Sequence, residues 1–244
     1  MTIALKKYKK DYSYSYALGE FPTIELINSK PDKAIKVLVN SNYKGSKGQP
    51  DIYDFCKDKD IQTETNDKFF TRISPKENCY VIGIFEKYDL FLQEDKSHIV
   101  LVNPSNMGNM GTIIRTMVGF GINNLAIVSP GVDIFDPKVI RASMGAFFKL
   151  NFKYYNSFDE YKNSFPGHHI YTFMLNGAST IKDIKHNADQ KFSLVFGNEA
   201  KGLDDSFLKE GTSVVIKHTN NIDSLNLPIA VGIAIYEFSK KNIY

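Results

Sequence analysis

The sequence predicts an α/β protein in two parts, on three observations. Beyond residue 98, short apolar runs such as HIVLV, NLAIV and FSLVF alternate with segments of helical length. Polar stretches rich in Gly and Asn follow several of these runs, where open α/β sheets keep their ligands. Near residues 88 to 97 the acidic, polar segment YDLFLQEDKSH separates this region from a smaller α/β stretch before it. The expected units are residues 1–92 and residues 98–244, within normal domain size.

In the first unit, AIKVLVN, KFFTRIS and CYVIGIF read as strands. TIELINSK reads as a helix led by Thr23 and closed before Pro31, and PDIYDFCKDKD as a second. The opening KKYKKDYSYSY interleaves Lys with Tyr. It reads first as a solvated tail or an initial helix with Leu5, Tyr8 and Tyr12 on one face. Contact with a nucleic acid through phosphates and stacked bases is the second reading.

In the second unit HIVLVN is a strand, followed by a helix near 110–119 and the strand NLAIVS. Asp136-Pro137 combines an N-cap with a first-turn Pro. SFDE at 157–160 is a capping box ahead of YKNSF. HIYTFML, FSLVFG and SVVIKH are further strands, and PIAVGIAIYEFSKK is a closing helix. Such alternation gives a mostly parallel sheet with helices on both faces.

Composition narrows the chemistry. The net charge is +3, and four of the first ten residues are Lys, so the remainder nets −1 and any basic surface must be local. Cys56 and Cys79 lie far apart with no CxxC, and the five His include no HExxH, so no metal site is expected. The apolar runs are too short to span a bilayer and the N-terminus lacks an apolar signal core. No membrane partner and a reducing, cytoplasmic setting are therefore expected. GxGxxG, GxxxxGK[ST] and GxSxG are all absent, which argues against Rossmann, P-loop and nucleophile-elbow sites.

Three polar loops stand at predicted strand ends: NPSNMGNMGTIIRT at 103–116, GNEAKGL at 197–203 and HTNNIDSLNLP at 218–228. Their Gly residues admit a ligand close to the backbone, and their Asn, Ser and Glu side chains supply hydrogen bonds with little bulk. The residues in these loops resemble the three motifs of the SpoU (TrmH) family. NMGTIIR matches Asn-x-Gly-x-x-x-Arg, with Asn109 selected over Asn106 by its spacing to Arg115. LVFGNEAKGL matches Gly-x-Glu-x-x-Gly, and SLNLPIAVGIAIYE matches Ser-Leu-Asn before an Ala-rich helix. RASMGAFF at 141–148 resembles the family's stretch between the first two motifs.

The resemblance covers residues 98 to 244. It implies an S-adenosylmethionine-dependent RNA ribose 2′-O-methyltransferase of the SPOUT class, with a C-terminal trefoil knot and a homodimer. It assigns catalytic positions to Asn109, Arg115, Glu199, Ser224 and Asn226. Cofactor contacts, mainly through the main chain, fall to Leu175, Gly197, Ile216 and Leu225. Residues 1–92 are similar in length and strand order to an L30e-like RNA-binding domain.

Arg115 is expected to grip a phosphate and stabilise developing alkoxide charge, since its pKa is too high for a base. Glu199 is expected to orient Arg115 or Asn109. Ser224 and Asn226 are equally suited to cap the last helix. Leu175, Ile216 and Leu225 would otherwise read as core. Ala230, Gly232 and Ala234 suit close packing of the last helix, either in the core or at a dimer interface. The expected substrate is ribosomal or transfer RNA, with ribosomal RNA preferred, and not DNA. The alternatives are an RNA-binding protein of the same fold without activity, and a small-molecule α/β enzyme.

Overall fold

The computed structural model describes residues 5–45, 51–73, 79–185 and 190–243. The chain forms two compact units, one of Met1–Tyr88 with Asp133–Lys149, the other of Asp89–Val132 with Leu150–Tyr244.

The first unit is a four-stranded sheet with helices. Its strands are β1 (Tyr14–Leu18), β2 (Ala34–Val39), β3 (Thr63–Thr65) and β4 (Val81–Glu86), in the order β1-β4-β2-β3. Three helices, α1 (Glu20–Ser29), α2 (Ile52–Asp58) and α3 (Asp67–Ile73), lie between them in sequence. Strand β1 replaces the expected tail or helix. Alternation along YSYAL places Tyr16 and Leu18 in one core cluster, against which Leu5 and Tyr8 pack from a non-helical segment.

The expected strand KFFTRIS is instead helix α3, as far as it lies within the described residues. Asn66 Oδ1 accepts from Phe69 N–H at 3.2 Å and opens a turn. The adjacent Phe69 and Phe70 are then both buried, which alternation on a half-exposed strand would not allow. Thr23 does not lead α1 but lies within it. Its hydroxyl donates to Gly19 C=O (2.8 Å) and accepts from Gly83 N–H (2.9 Å), tying the helix to β4.

Helix α5 (Pro137–Ala142) starts where Asp136-Pro137 predicts, with the Asp136 carboxylate accepting from Lys138 N–H at 2.8 Å. It packs with the first unit, although in sequence it lies inside 98–244. Phe147 and Phe148 bury their rings against Phe85, at centroid distances of 6.2 and 5.1 Å.

The second unit is a seven-stranded parallel sheet. Its strands are β5 (His98–Val102), β6 (Asn124–Val128), β7 (Asn151–Tyr155), β8 (His169–Phe173), β9 (Ser179–Thr180), β10 (Phe192–Phe196) and β11 (Thr212–Val215). Their order is β7-β6-β5-β10-β8-β11-β9, and every pairing is parallel. Strands β5 and β10 are central and almost wholly buried, hence their continuous apolar runs.

Helices α4 (Met107–Gly119), α6 (Phe158–Ser164) and α7 (Leu227–Ile243) complete this unit. Ser157 caps α6 through Glu160 N–H at 3.1 Å, as SFDE predicts. After β5 the order runs outward through β6 and β7, then the chain returns so that β10 pairs with β5. That reversal leaves a crevice at the C-terminal ends of the central strands. Among the described residues no helix is long and apolar enough to cross a membrane.

Candidate active site

A cavity of about 340 Å³ opens at those strand ends. That volume lies within the range of about 300–1,000 Å³ usual for small-molecule sites. Its walls come from the end of β8 (Phe173 to Asn176), the loop after β10 (Gly197 to Leu203), Ile216 and His218 after β11, and the entry to α7. Leu175, Gly197, Glu199, Ile216, Ser224 and Leu225 are thus brought together from four segments. Leu175 is 66% exposed, so it is not the core residue its type suggests. Phe173 and Phe196 stack at the cavity wall with centroids 4.5 Å apart.

The loop after β10 depends on Gly197. A Cβ there would lie 2.1 Å from the carbonyl carbon of Gly202, so no other residue fits. Gly202 itself has φ +67 and donates its N–H to Asn198 C=O at 2.8 Å. Asn198 accepts from the N–H groups of Ala200 (3.0 Å) and Lys201 (3.2 Å) through its Oδ1. Its Nδ2 donates to Asn103 C=O at 2.8 Å, across to the loop after β5.

Glu199 makes the second link between the two loops. Its Oε2 accepts from Ser105 N–H (3.0 Å) and Ser105 Oγ (2.8 Å). Its Oε1 accepts from Asn106 N–H (3.0 Å) and Asn109 Nδ2 (3.3 Å). Partial burial acts to raise the Glu199 pKa, but the hydrogen bonds from Ser105 and Asn106 outweigh it and hold the carboxyl below its ordinary value. The first turn of α4 carries no acidic residue of its own, so this carboxylate supplies the negative charge its N-terminus favours.

The helix starts three residues earlier than expected. Asn106 is its N-cap, with Oδ1 accepting from Asn109 N–H at 3.0 Å. Asn109 is therefore in the first helical turn and meets the cavity only through Glu199. Arg115 lies about 9 Å further along the axis at 1.5 Å per residue. It is exposed, outside the cavity wall, and among the described residues no hydrogen bond or ion pair ties it to Glu199. Asn226 precedes α7 and contributes its carbonyl, which accepts from Ile229 N–H (2.9 Å) and Ala230 N–H (3.0 Å).

The sequence reading misses Ser105 and Asn198, the two residues that join the loops through Glu199 and Asn103. The only local signal for Asn198 is its place four residues before Gly202, which suits a side-chain turn.

The SpoU rRNA Methylase family profile matches residues 96–236. An uncharacterized tRNA/rRNA methyltransferase of Borreliella burgdorferi is 26% identical over 231 residues, covering 92% of this chain and 91% of that protein. The 23S rRNA (adenosine(1067)-2′-O)-methyltransferase of Streptomyces azureus is 30% identical over 150 residues, covering 59% of this chain and 55% of that protein. The crystal structure of an AdoMet-bound rRNA methyltransferase from Sinorhizobium meliloti superposes with a TM-score of 0.78 at 25% identity, over 95% of this chain and 88% of that one. The shared fold is the SPOUT α/β fold with its C-terminal trefoil knot. The chain belongs to the SpoU rRNA methylase family.

Proposed function

We propose that this protein is an S-adenosylmethionine-dependent methyltransferase acting on a ribose 2′-hydroxyl of RNA. The observation that carries the reading is the junction of the loops after β5 and β10 by Glu199, at the edge of a cavity of about 340 Å³. The cavity fits the cofactor chemically. Its loops offer backbone donors and acceptors beside the apolar Phe173, Leu175, Ile216 and Leu225, which suits an adenosine with an amino-acid tail. Bound there, S-adenosylmethionine supplies an electrophilic methyl group.

The chain's own residues do the rest. Glu199 fixes the start of α4, so Asn109 presents its amide in one orientation. Arg115, exposed and without a hydrogen-bond or ion-pair partner among the described residues, is available for the phosphate next to the reacting ribose and for the charge that develops on its oxygen. Ser224, which lines the same cavity, and Asn226, two residues on, hold the RNA backbone. Leu175, Gly197, Ile216 and Leu225 hold the cofactor, chiefly by main-chain groups.

Residues 1–92 serve as an L30e-like RNA-binding domain in this reading. Support comes from a cavity of about 710 Å³ in the first unit. Its rim carries the half-exposed Phe21 and Tyr80 with Lys44 and Arg141, a combination suited to bases and phosphates. The active form is a homodimer in which both subunits contribute to each RNA site. The exposed Ile229 and Tyr236 lie on one face of α7 with the half-buried Ile233, an apolar surface suited to a twofold partner. Ribosomal RNA is preferred to transfer RNA, DNA is not a substrate, and the protein works in the cytoplasm.

Calorimetry with S-adenosylmethionine and its demethylated product, after chelator treatment, tests the cofactor. Binding of either without metal is expected, and no heat at high micromolar ligand would remove the assignment. Labelled methyl transfer into RNA, with DNA of the same sequence inert, separates the enzyme from an inactive RNA-binding relative.

A further inference from the structure

At the other end of the parallel sheet from the cavity, four buried side chains meet that the methyl-transfer site does not use. His98 opens β5, Ser193 is second in β10, His168 precedes β8, and Tyr161 stands in α6. His98 Nε2 lies 2.9 Å from Gln93 C=O, and His168 Nε2 lies 3.0 Å from Glu94 C=O. A carbonyl only accepts, so each ring carries a hydrogen on Nε2, and each Nδ1 is an acceptor while the ring is neutral.

The Nδ1 atoms end a row of three contacts. His98 Nδ1 is 3.0 Å from Tyr161 Oη, Tyr161 Oη is 2.6 Å from Ser193 Oγ, and Ser193 Oγ is 3.0 Å from His168 Nδ1. The two hydroxyls supply only two hydrogens for these three contacts. With both rings neutral, one contact holds two facing lone pairs. One added proton completes the row. If it sits on His98, the hydrogens point from His98 through Tyr161 and Ser193 to His168. If it sits on His168, they all point the other way. A second proton leaves one hydroxyl hydrogen with no acceptor in the row. It also sets two cations on rings whose centroids are 4.4 Å apart.

We propose that His98, Tyr161, Ser193 and His168 form a buried site for a single proton, shared by the two imidazoles across the two hydroxyls, through which the second unit senses pH. The proton comes from solvent and no other reactant is needed.

Burial opposes the charge. It lowers the His98 pKa to about 4, with the neighbouring His168 adding to the effect, and lowers that of His168 as well. The Glu94 carboxylate favours a charged His168 and Lys191 disfavours it. Tyr155 faces Tyr161, and the Phe165 ring meets His98 edge-on at 4.5 Å. Folded values below the unfolded ones mean that stability is complete above about pH 6.5, the ordinary His value, and falls with pH below it. Once the site fills, the fall corresponds to one proton and not two.

NMR of the full chain with ¹⁵N-labelled His tests this. Both rings should be Nε2–H tautomers at pH 8. On acidification the Nδ1 signals of His98 and His168 should move together with one midpoint, each covering about half the change of a fully protonated imidazole, because one proton is divided between coupled sites. Ser193→Ala cuts the row, so one ring should take the whole proton while the other stays neutral. Two unlinked transitions of full size in the wild-type protein would overturn the proposal. So would rings that both stay neutral until acid unfolding, or a Ser193→Ala protein that folds and titrates as the wild type does.

Discussion

Glu199 gathers donors from Ser105, Asn106 and Asn109 onto one carboxylate, and the loop after β5 takes its shape from it. Glu199→Gln removes the charge and turns one acceptor oxygen into a donor that faces other donors. A hydrogen bond to a charged group contributes about 1.5–3 kcal/mol, and the partial exposure of this one favours the lower end. Denaturant unfolding should show a loss of that order, with methyl transfer down about tenfold for each 1.4 kcal/mol of lost transition-state stabilisation. Unchanged unfolding with full activity would make Glu199 a bystander.

The sign with pH follows from the lowered pKa. The Glu199 contribution is present above the ordinary carboxyl value of 4.5 and is lost as pH falls through the lower folded value. The wild type should therefore lose more stability below pH 4.5 than Glu199→Gln does.

Arg115 differs because, among the described residues, no hydrogen bond or ion pair holds it. Arg115→Ala should leave folding and cofactor binding unchanged and cost about 10²–10³ in rate, as loss of one charge-stabilising donor does. Arg115→Lys should rescue poorly, since a point charge cannot reproduce the planar fork. Loss of cofactor heat in Arg115→Ala would instead mean that the side chain is structural.

At the scale of elements, the turn after β10 has least freedom. Gly197→Ala would press a methyl group to 2.1 Å from the Gly202 carbonyl carbon. Overpacking of this kind costs about 1–3 kcal/mol, and here backbone would have to yield. Thermal unfolding should fall, and S-adenosylmethionine binding should be lost or severely weakened. Wild-type affinity in the Ala variant would refute the tight turn.

The central strands and α5, α6 and α7 are legible in the sequence because local signals agree there. β5 and β10 are continuous apolar runs, and Asp136-Pro137 and Ser157 to Glu160 cap helices by side chains within a few residues. Helix α3 is not legible, because FF fits a strand equally well and the Asn66 cap decides. Strand β1 is hidden by the lysines before it, and β7, NFKYY, has too few apolar residues to stand out.

The candidate site follows the same division. The three loops are visible as Gly- and Asn-rich strand ends. That Asn198 and Ser105 join two of them is not, because those partners lie more than 90 residues apart in sequence. NMGTIIR reads as a loop Asn109 followed by a helical Arg115, but the early start of α4 puts both on one helix, on different faces.

For the whole molecule, the position of Arg115 outside the cavity wall bears on assembly. In the proposed dimer, RNA spans both subunits, so an exposed Arg on α4 has a route to the reacting ribose. Light scattering at micromolar concentration should give about twice the 27.7 kDa chain mass, as a closed twofold pair requires. A monomer with full activity would refute the shared site. A charge such as Ile229→Glu on the exposed face of α7 should shift the protein to monomer and reduce methyl transfer, while cofactor binding persists.

In the proposed reaction the methyl group goes to a ribose 2′-hydroxyl. Glu199 and Ser224 line the cavity, and together with Asn109, Asn226 and Arg115, the residues proposed to meet the RNA, they suit a sugar and its phosphate. Base methylation would need a flipped base held between apolar or aromatic walls, and the aromatic pair Phe173 and Phe196 lies on the cofactor cavity instead. The direct measurement incubates labelled methyl donor and enzyme with RNA from cells lacking this gene, then hydrolyses the RNA in alkali. A 2′-O-methyl group blocks cleavage at its own position, so label is expected in alkali-resistant dinucleotides. Label in ordinary mononucleotides would show methylation of a base and rule out transfer to the ribose.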